Sequence, residues 1–388
     1  MDNFPFAHRT NWRQESNRLN NTLEALKKNG IDVLDLTASN PTNCGFDYPE
    51  GMLSALNSSD NFQYHPDARG MEHARQAVAR YYSSQKILPH HIILTASTSE
   101  AYSFLMRLLV NPGEKILIPK PSYPLFQFLL EINDVNFDYY PLVYNGQIWQ
   151  LDTQALKRLV DTKTKAIILV NPNNPTGSYI SRAELDFLNE FCHQHHLAII
   201  SDEVFYDYPL SAVGGVSCVG NQKVLTFVLG GLSKTIGLPQ MKCAWTIASG
   251  PQAILEESLS RLEIIADTYL SVGTPVQNAL GAWLNDAPKI QEQIIHRVKE
   301  NWQWLKSHLN DHTELLSLQG GWYATLRIPA IKSEEEWVLE FIEKDHVSVY
   351  PGYFFDFDRE AYIVLSLLPQ IEIFQQAAGR LIQRLANV

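Results

Sequence analysis

Three short apolar runs in this chain each end in a cluster of polar residues. The run AIILV (166–170) leads into Asn171-Pro172-Asn173-Asn174-Pro175-Thr176-Gly177, and LAII (197–200) leads into Ser201-Asp202-Glu203-Val204. The run VLTFV (224–228) is followed within a few residues by Ser233-Lys234-Thr235. Apolar runs this short, bounded by turn residues, read as strands buried on both faces, and such strands need helices above and below the sheet. Further candidate strands at 92–95, 115–118 and 243–248 continue the pattern. Segments with apolar residues at helical spacing separate them, at 99–110, at 181–195 and after Tyr123, and Asn111-Pro112-Gly113 is a helix stop. The chain is therefore predicted to be α/β, with a mainly parallel sheet covered by helices from about residue 90 to residue 250.

At 388 residues the chain exceeds what one hydrophobic core usually supports, which predicts two packed units. After Pro251 the texture changes to long periodic stretches, including 288–309, followed by short strands near 322–328, 347–350 and 361–367. This is the pattern of a smaller α+β unit. A helix over 15–28, closed by Gly30, is expected to pack with it. The expected division is a large domain at 41–275 and a small domain made of 1–40 and 276–388.

A formal net charge of −11 opposes binding to a phosphate backbone, so nucleic acid is not an expected partner. Cys44, Cys192, Cys218 and Cys243 are scattered without metal or redox spacing and read as reduced thiols, with no metal site. The amino-terminal residues carry no continuous apolar core, which predicts neither a signal peptide nor a membrane anchor and points to the cytoplasm.

Polar clusters at the carboxyl ends of neighbouring strands lie where open α/β sheets bind ligands. In this order the three clusters resemble those of fold-type-I pyridoxal-phosphate enzymes, in particular the class I and II aminotransferases, from about residue 20 to the carboxy terminus. The resemblance implies a three-layer large domain of that fold type, pyridoxal 5′-phosphate as cofactor, and a homodimer. It implies that Lys234 carries the cofactor as a Schiff base and shuttles a proton, while Asp202 pairs with the pyridinium nitrogen. It also implies that Asn174 bonds the ring hydroxyl, with Ser233 beside the lysine, and that Tyr123 stacks on the ring unless it is a core tyrosine. Ser97, Thr98 and Ser99 stand at a predicted helix amino terminus, where free N–H groups and the helix dipole favour phosphate. Tyr64 is implied to reach the phosphate of the neighbouring subunit.

Four positions depart from the family pattern. Gly231 stands where a phosphate-binding serine is common, Lys242 replaces an arginine, and Phe205 replaces a tyrosine. Tyr206 adjoins Phe205 but is expected to point elsewhere. Val364 stands where the family presents the arginine for the substrate α-carboxylate. Either another cation substitutes, with Arg327, Arg69 and Arg107 as candidates, or the carboxylate is absent, modified or held by backbone groups. The aromatic stretch Pro351-Gly352-Tyr353-Phe354-Phe355-Asp356-Phe357 reads equally as an apolar substrate wall or as a small-domain core. The expected activity is transfer of an amino group from an amino compound to an oxo acid. A lyase reaction on the same cofactor and a non-catalytic cofactor-binding regulator are the alternatives.

Overall fold

A computed structural model describes residues 6–12, 17–85, 87–211, 215–359 and 361–387. The first helix, α1 (Arg18–Lys28), starts where the Asn17 side chain accepts the Asn20 N–H, and it closes near Gly30 at φ +72°. The expected start at Glu15 lies outside the described residues. Next come β1 (Leu34–Asp35) and α2 (Glu72–Tyr81), then β2 (Ile92–Thr95), α3 (Thr98–Leu109), β3 (Lys115–Lys120) and α4 (Phe126–Ile132). After β4 (Asn136–Tyr144), β5 (Trp149–Leu151) and α5 (Thr153–Leu159), the chain runs through β6 (Thr164–Val170), α6 (Arg182–His195) and β7 (Ala198–Asp202). It continues through β8 (Thr226–Gly231), a single turn α7 (Leu232–Thr235), β9 (Ala244–Ser249) and α8 (Gln252–Asp267).

These strands form an eight-stranded sheet in the order β2-β9-β8-β7-β6-β3-β4-β5. The neighbours β8-β7-β6-β3-β4 are parallel, and antiparallel pairs finish both ends. Alternate residues serve opposite faces. Ile116, Ile118, Ile168, Ile200 and Leu229 bury against α3, α4 and α8, whereas Leu117, Ile167, Leu169, Ile199 and Val228 join the core with α2, α6 and the helix that follows α8. Full burial of each such side chain contributes roughly 1.5–3 kcal/mol. The predicted three-layer α/β arrangement is the one observed.

Strands β4 and β5 were not expected, because their polar and aromatic residues do not form an apolar run. The strand expected at 224–228 is shifted to Thr226–Gly231. The helix expected at 288–309 is α9 (Thr274–His308), which starts fourteen residues earlier, so that Pro288 lies inside it. An interior proline costs a helix about 3 kcal/mol, which makes it look like a start in sequence. Here Leu280, Trp283, Leu284, Ala287, Ile290 and Ile294 bury a continuous stripe across it and outweigh that cost.

The carboxy-terminal elements are β10 (Glu314–Leu315), β11 (Tyr323–Arg327), α10 (Glu334–Glu340), β12 (Val347–Ser348), β13 (Tyr350–Pro351), β14 (Tyr362–Ser366) and α11 (Ile371–Ala386). They build an antiparallel sheet in the order β10-β11-β14-β13. Strand β1 pairs in parallel with β12, and α1 packs on α10, as expected for an amino-terminal segment that joins this unit. Among the described residues no helix is long and apolar enough to cross a membrane.

The turn after β6 ties the two sheets together. The Asn173 amide donates to Pro121 O at 3.1 Å and to Thr176 Oγ1 at 3.0 Å, and Gln319 and Gly320 N–H groups donate to Gly177 O. Gly177 has φ +66°, and a Cβ there would lie 2.6 Å from Gly320 O and 2.0 Å from the Leu318 side chain. Gly177→Ala is expected to cost about 2 kcal/mol or more in urea denaturation, from left-handed strain and the backbone clash together; an unchanged midpoint would contradict this account.

Candidate active site

The carboxyl ends of β6, β7 and β8, the start of α3 and the loop after β3 surround a cleft enclosing about 810 Å³, part of it open to solvent. Strand β7 delivers Asp202, and α7 at the end of β8 delivers Ser233 and Lys234. The turn after β6 delivers Asn174, the loop after β3 delivers Tyr123, and α3 delivers Thr98 and Ser99. These residues are separated by up to 136 positions in sequence (Thr98 to Lys234) and converge because parallel strands place all their carboxyl ends on one edge.

Among the described residues, Asp202 and Lys234 are the only charged side chains lining this cleft. Burial pushes the Asp202 carboxyl up to about 6, against the Val204 N–H at 3.2 Å, the Tyr102 hydroxyl at 3.0 Å and the Lys234 charge, which all favour its ionised form. Burial pulls the Lys234 amine down to about 8, and the Asp202 charge opposes that fall. The Lys234 Nζ also lies 5.0 Å from the Trp322 ring centroid and 5.5 Å from that of Phe205, close enough for cation–π attraction. At neutral pH the carboxylate is mostly ionised, and the amine is much closer to its neutral form than a surface lysine.

Tyr123 lines the cleft with its ring edge-on to Phe126, and burial pushes its phenol up to about 12. The Asn174 Oδ1 is buried in the lining without a hydrogen-bond partner. At the start of α3, Thr98 and Ser99 reach the cleft, whereas Ser97 does not: its hydroxyl caps the helix by accepting the Glu100 N–H at 3.2 Å. Lys242 is exposed at φ +49° and lies outside the lining. Tyr64, 72% exposed, stands away from its own chain's cleft in a surface depression with Leu270.

The positions set apart in sequence from the family pattern have defined surroundings. A Cβ on Gly231 would lie 2.9 Å from Ala244 Cβ, so β8 and β9 leave no room for a serine there. Tyr206 turns away to donate to Gly215 O at 2.9 Å, while Phe205 lines the cleft and meets Trp322 edge-on. Val364 is fully buried in the core. None of the candidate substitute arginines lines the cleft. Arg69 pairs with Glu263 at 2.5 Å, Arg327 pairs with Glu314 at 2.6 Å, and the exposed Arg107 lies over the Tyr269 ring. The aromatic stretch at 351–357 likewise lies outside the lining: Phe355 is buried in the core and Phe357 stacks on Tyr362. Its backbone still braces the site, since Phe355 O accepts the Ser122 N–H at 3.0 Å.

Tyr102, Trp322, Tyr323 and Ser39 belong to the site but were not singled out from sequence. Tyr102 lies on the apolar face of α3, and the other three come from segments that sequence periodicity assigns to the smaller unit.

Fold and site together define an α/β protein with a buried lysine and a buried acid at the carboxyl edge of its sheet. Residues 16–369 match the family described as aminotransferase class I and II, and the chain belongs to that family, whose members depend on pyridoxal 5′-phosphate. It is 27% identical over 383 residues to the glutamate-pyruvate aminotransferase AlaA of Haemophilus influenzae, a match covering 93% of each chain. It is 25% identical over 379 residues to an alanine aminotransferase of Mycobacterium tuberculosis, covering 93% of this chain and 86% of that one. Among solved structures, an alanine aminotransferase from Pyrococcus furiosus superposes with a TM-score of 0.87 at 26% identity, covering 95% of this chain and 96% of that one.

The residues present fit the cofactor. The unpartnered Asn174 amide oxygen marks a polar position inside the cleft that the protein leaves unsatisfied, and the buried acid and amine are the two groups that pyridoxal phosphate chemistry requires. In the cofactor-free protein, an amine-acylating reagent is expected to modify Lys234 with a pH midpoint near 8, because only the neutral amine reacts. Asp202→Asn should move that midpoint lower still. Peptide mass spectrometry across the pH range checks both, and a midpoint near the ordinary lysine value would contradict the burial described.

Proposed function

We propose that this aminotransferase moves an amino group from an amino compound to an oxo acid with Lys234 as its Schiff-base lysine, and that it recognises its substrate without the usual carboxylate-binding arginine. The observation that carries this reading is the pairing of a buried, easily neutralised Lys234 with a buried Asp202 in a cleft lined by no other charged side chain among the described residues. Bound pyridoxal 5′-phosphate would supply the electron sink and carry the amino group between the two substrates. Lys234 would hold it covalently, Asp202 would face its ring nitrogen, and Asn174 would bond its ring hydroxyl. Thr98 and Ser99 would meet the phosphate at the amino terminus of α3, where free N–H groups and the helix dipole favour an anion.

The protein's own groups have distinct tasks. Lys234 Nζ, poised near 8, can both accept and return a proton close to neutral pH. Asp202 keeps a negative charge at the end of β7, oriented by Tyr102 and the Val204 N–H. Phe126, Leu129, Val170 and Phe205 exclude water and so strengthen every electrostatic interaction in the cleft.

We further infer a cytoplasmic homodimer in which Tyr64 completes the partner's phosphate site. The exposure of Tyr64 together with Phe62 (92%), Ile264 (69%) and Leu53 (62%) supports a covered surface. The four buried free thiols suit a reducing compartment. The division into a cofactor-binding unit at 41–275 and a smaller unit is kept as part of this reading.

Lys234→Ala is expected to abolish the visible absorbance of the bound cofactor and to lower transfer by about 10³-fold or more, and Asp202→Asn by about 10²-fold, measured as conversion of the cofactor to its aminated form by a donor. Release of pyruvate and ammonia with no acceptor present would instead favour a lyase. Sedimentation should show a dimer.

A further inference from the structure

The wall that the family pattern assigns to a carboxylate-binding arginine has a definite composition here. Val364 pairs with Thr325 on one side and Tyr350 on the other, and Tyr323 pairs with Ser366. Directly opposed residues, and residues two apart on one strand, share a sheet face. Tyr323, Thr325, Val364, Ser366 and Tyr350 therefore form one face, and it looks toward residues 37–39 and the turn after β6.

Most polar groups on this face are committed to the fold. Ser366 Oγ donates to Ala38 O at 2.5 Å, Tyr350 Oη to Thr37 O at 3.3 Å, and Thr325 Oγ1 approaches Pro175 O at 3.5 Å. Tyr323 is the member of this face that lines the cleft, and Ser39, whose side chain favours the ionised form of the Tyr323 phenol, lines the cleft beside it. The buried Trp322 N–H lies near the same phenol but makes no hydrogen bond of normal geometry. Burial pushes the Tyr323 phenol up, so it remains a neutral donor at physiological pH.

A substrate carboxylate placed here would lose its water without meeting a cation, because among the described residues the one cation in the lining, Lys234, is committed to the reacting centre. An uncharged polar group would exchange its water for hydroxyl partners at little cost. We propose that Tyr323 and Ser39 determine specificity as a neutral hydroxyl pair, selecting an amino compound that carries a hydroxyl or carboxamide where an α-amino acid carries its carboxylate. This rests on the aminotransferase reading of the same cleft.

The test uses ligands that lack an amino group and cannot react, so selectivity is read whether or not transfer occurs. Calorimetric titration of the cofactor-loaded enzyme with 3-phenylpropionamide, 3-phenylpropan-1-ol and 3-phenylpropionate should show the amide or the alcohol binding about 10-fold more tightly than the carboxylate. Tyr323→Phe or Ser39→Ala should each remove most of that preference, and the two variants together guard against one that fails to fold. Carboxylate binding as tight as that of the neutral ligands, or a preference that survives in both variants, would overturn the proposal. Failure of the aminotransferase reading would appear separately, as a bound-cofactor spectrum that no amine changes.

Discussion

Asp202 and Lys234, both buried, attract each other across the cleft. Each loses hydration on burial, which drives the carboxyl up and the amine down, while the charge of the other partly restrains both. The result is an acid and an amine whose proton affinities lie about two units apart, at about 6 and about 8, instead of the more than six units between ordinary side chains. Burial sets this balance, hydrogen bonds to the carboxylate offset part of it, and any change that lets water in would relax it.

Much of the fold serves to hold that lysine still. α7 is a single turn and cannot fix its own position, so its carbonyls are tied from outside. Tyr208 donates to Lys234 O, Gln291 of α9 donates to Thr235 O at 2.9 Å, and Tyr48 donates to Gly237 O at 2.6 Å. Gln291 also donates to Tyr81 at 2.7 Å, and Asp207, whose carboxyl burial pushes up to about 6, bonds Tyr81 and Thr235. Side chains from as far apart in sequence as Tyr48 and Gln291 thus converge on this one turn. Two of the positions singled out in the sequence are set by packing: closely packed strands leave no room for a side chain at 231, and Val364 lies in the core of the small sheet.

Strands β2, β3, β6, β7 and β9 were legible because burial on both faces leaves continuous apolar runs, and α3 and α6 because their caps and periodicity agree. The pairing of β4 with β5 was not, since half-buried aromatic and polar residues give no run to read. Lys234, Asp202 and Asn174 were singled out because their strand-end clusters, in this order, resemble those of a known family, and the structure brings all three into one cleft. Tyr102 was hidden on an apolar helix face, and Trp322 looked like an ordinary core aromatic.

The sequence by itself determined the fold class and placed a lysine and an acid at neighbouring strand ends, since both depend on local patterns: strand runs, strand ends and the residue types that stand there. Only the tertiary structure decided what surrounds that pair. It put Ser97 into a helix cap, paired Arg69 and Arg327 with nearby glutamates, and left Lys242 and Tyr64 outside the chain's own cleft. It also brought Ser39 beside Tyr323, 284 residues later in the chain. Neighbours separated by that distance are chosen by how sheets and helices pack, and no local periodicity carries that information.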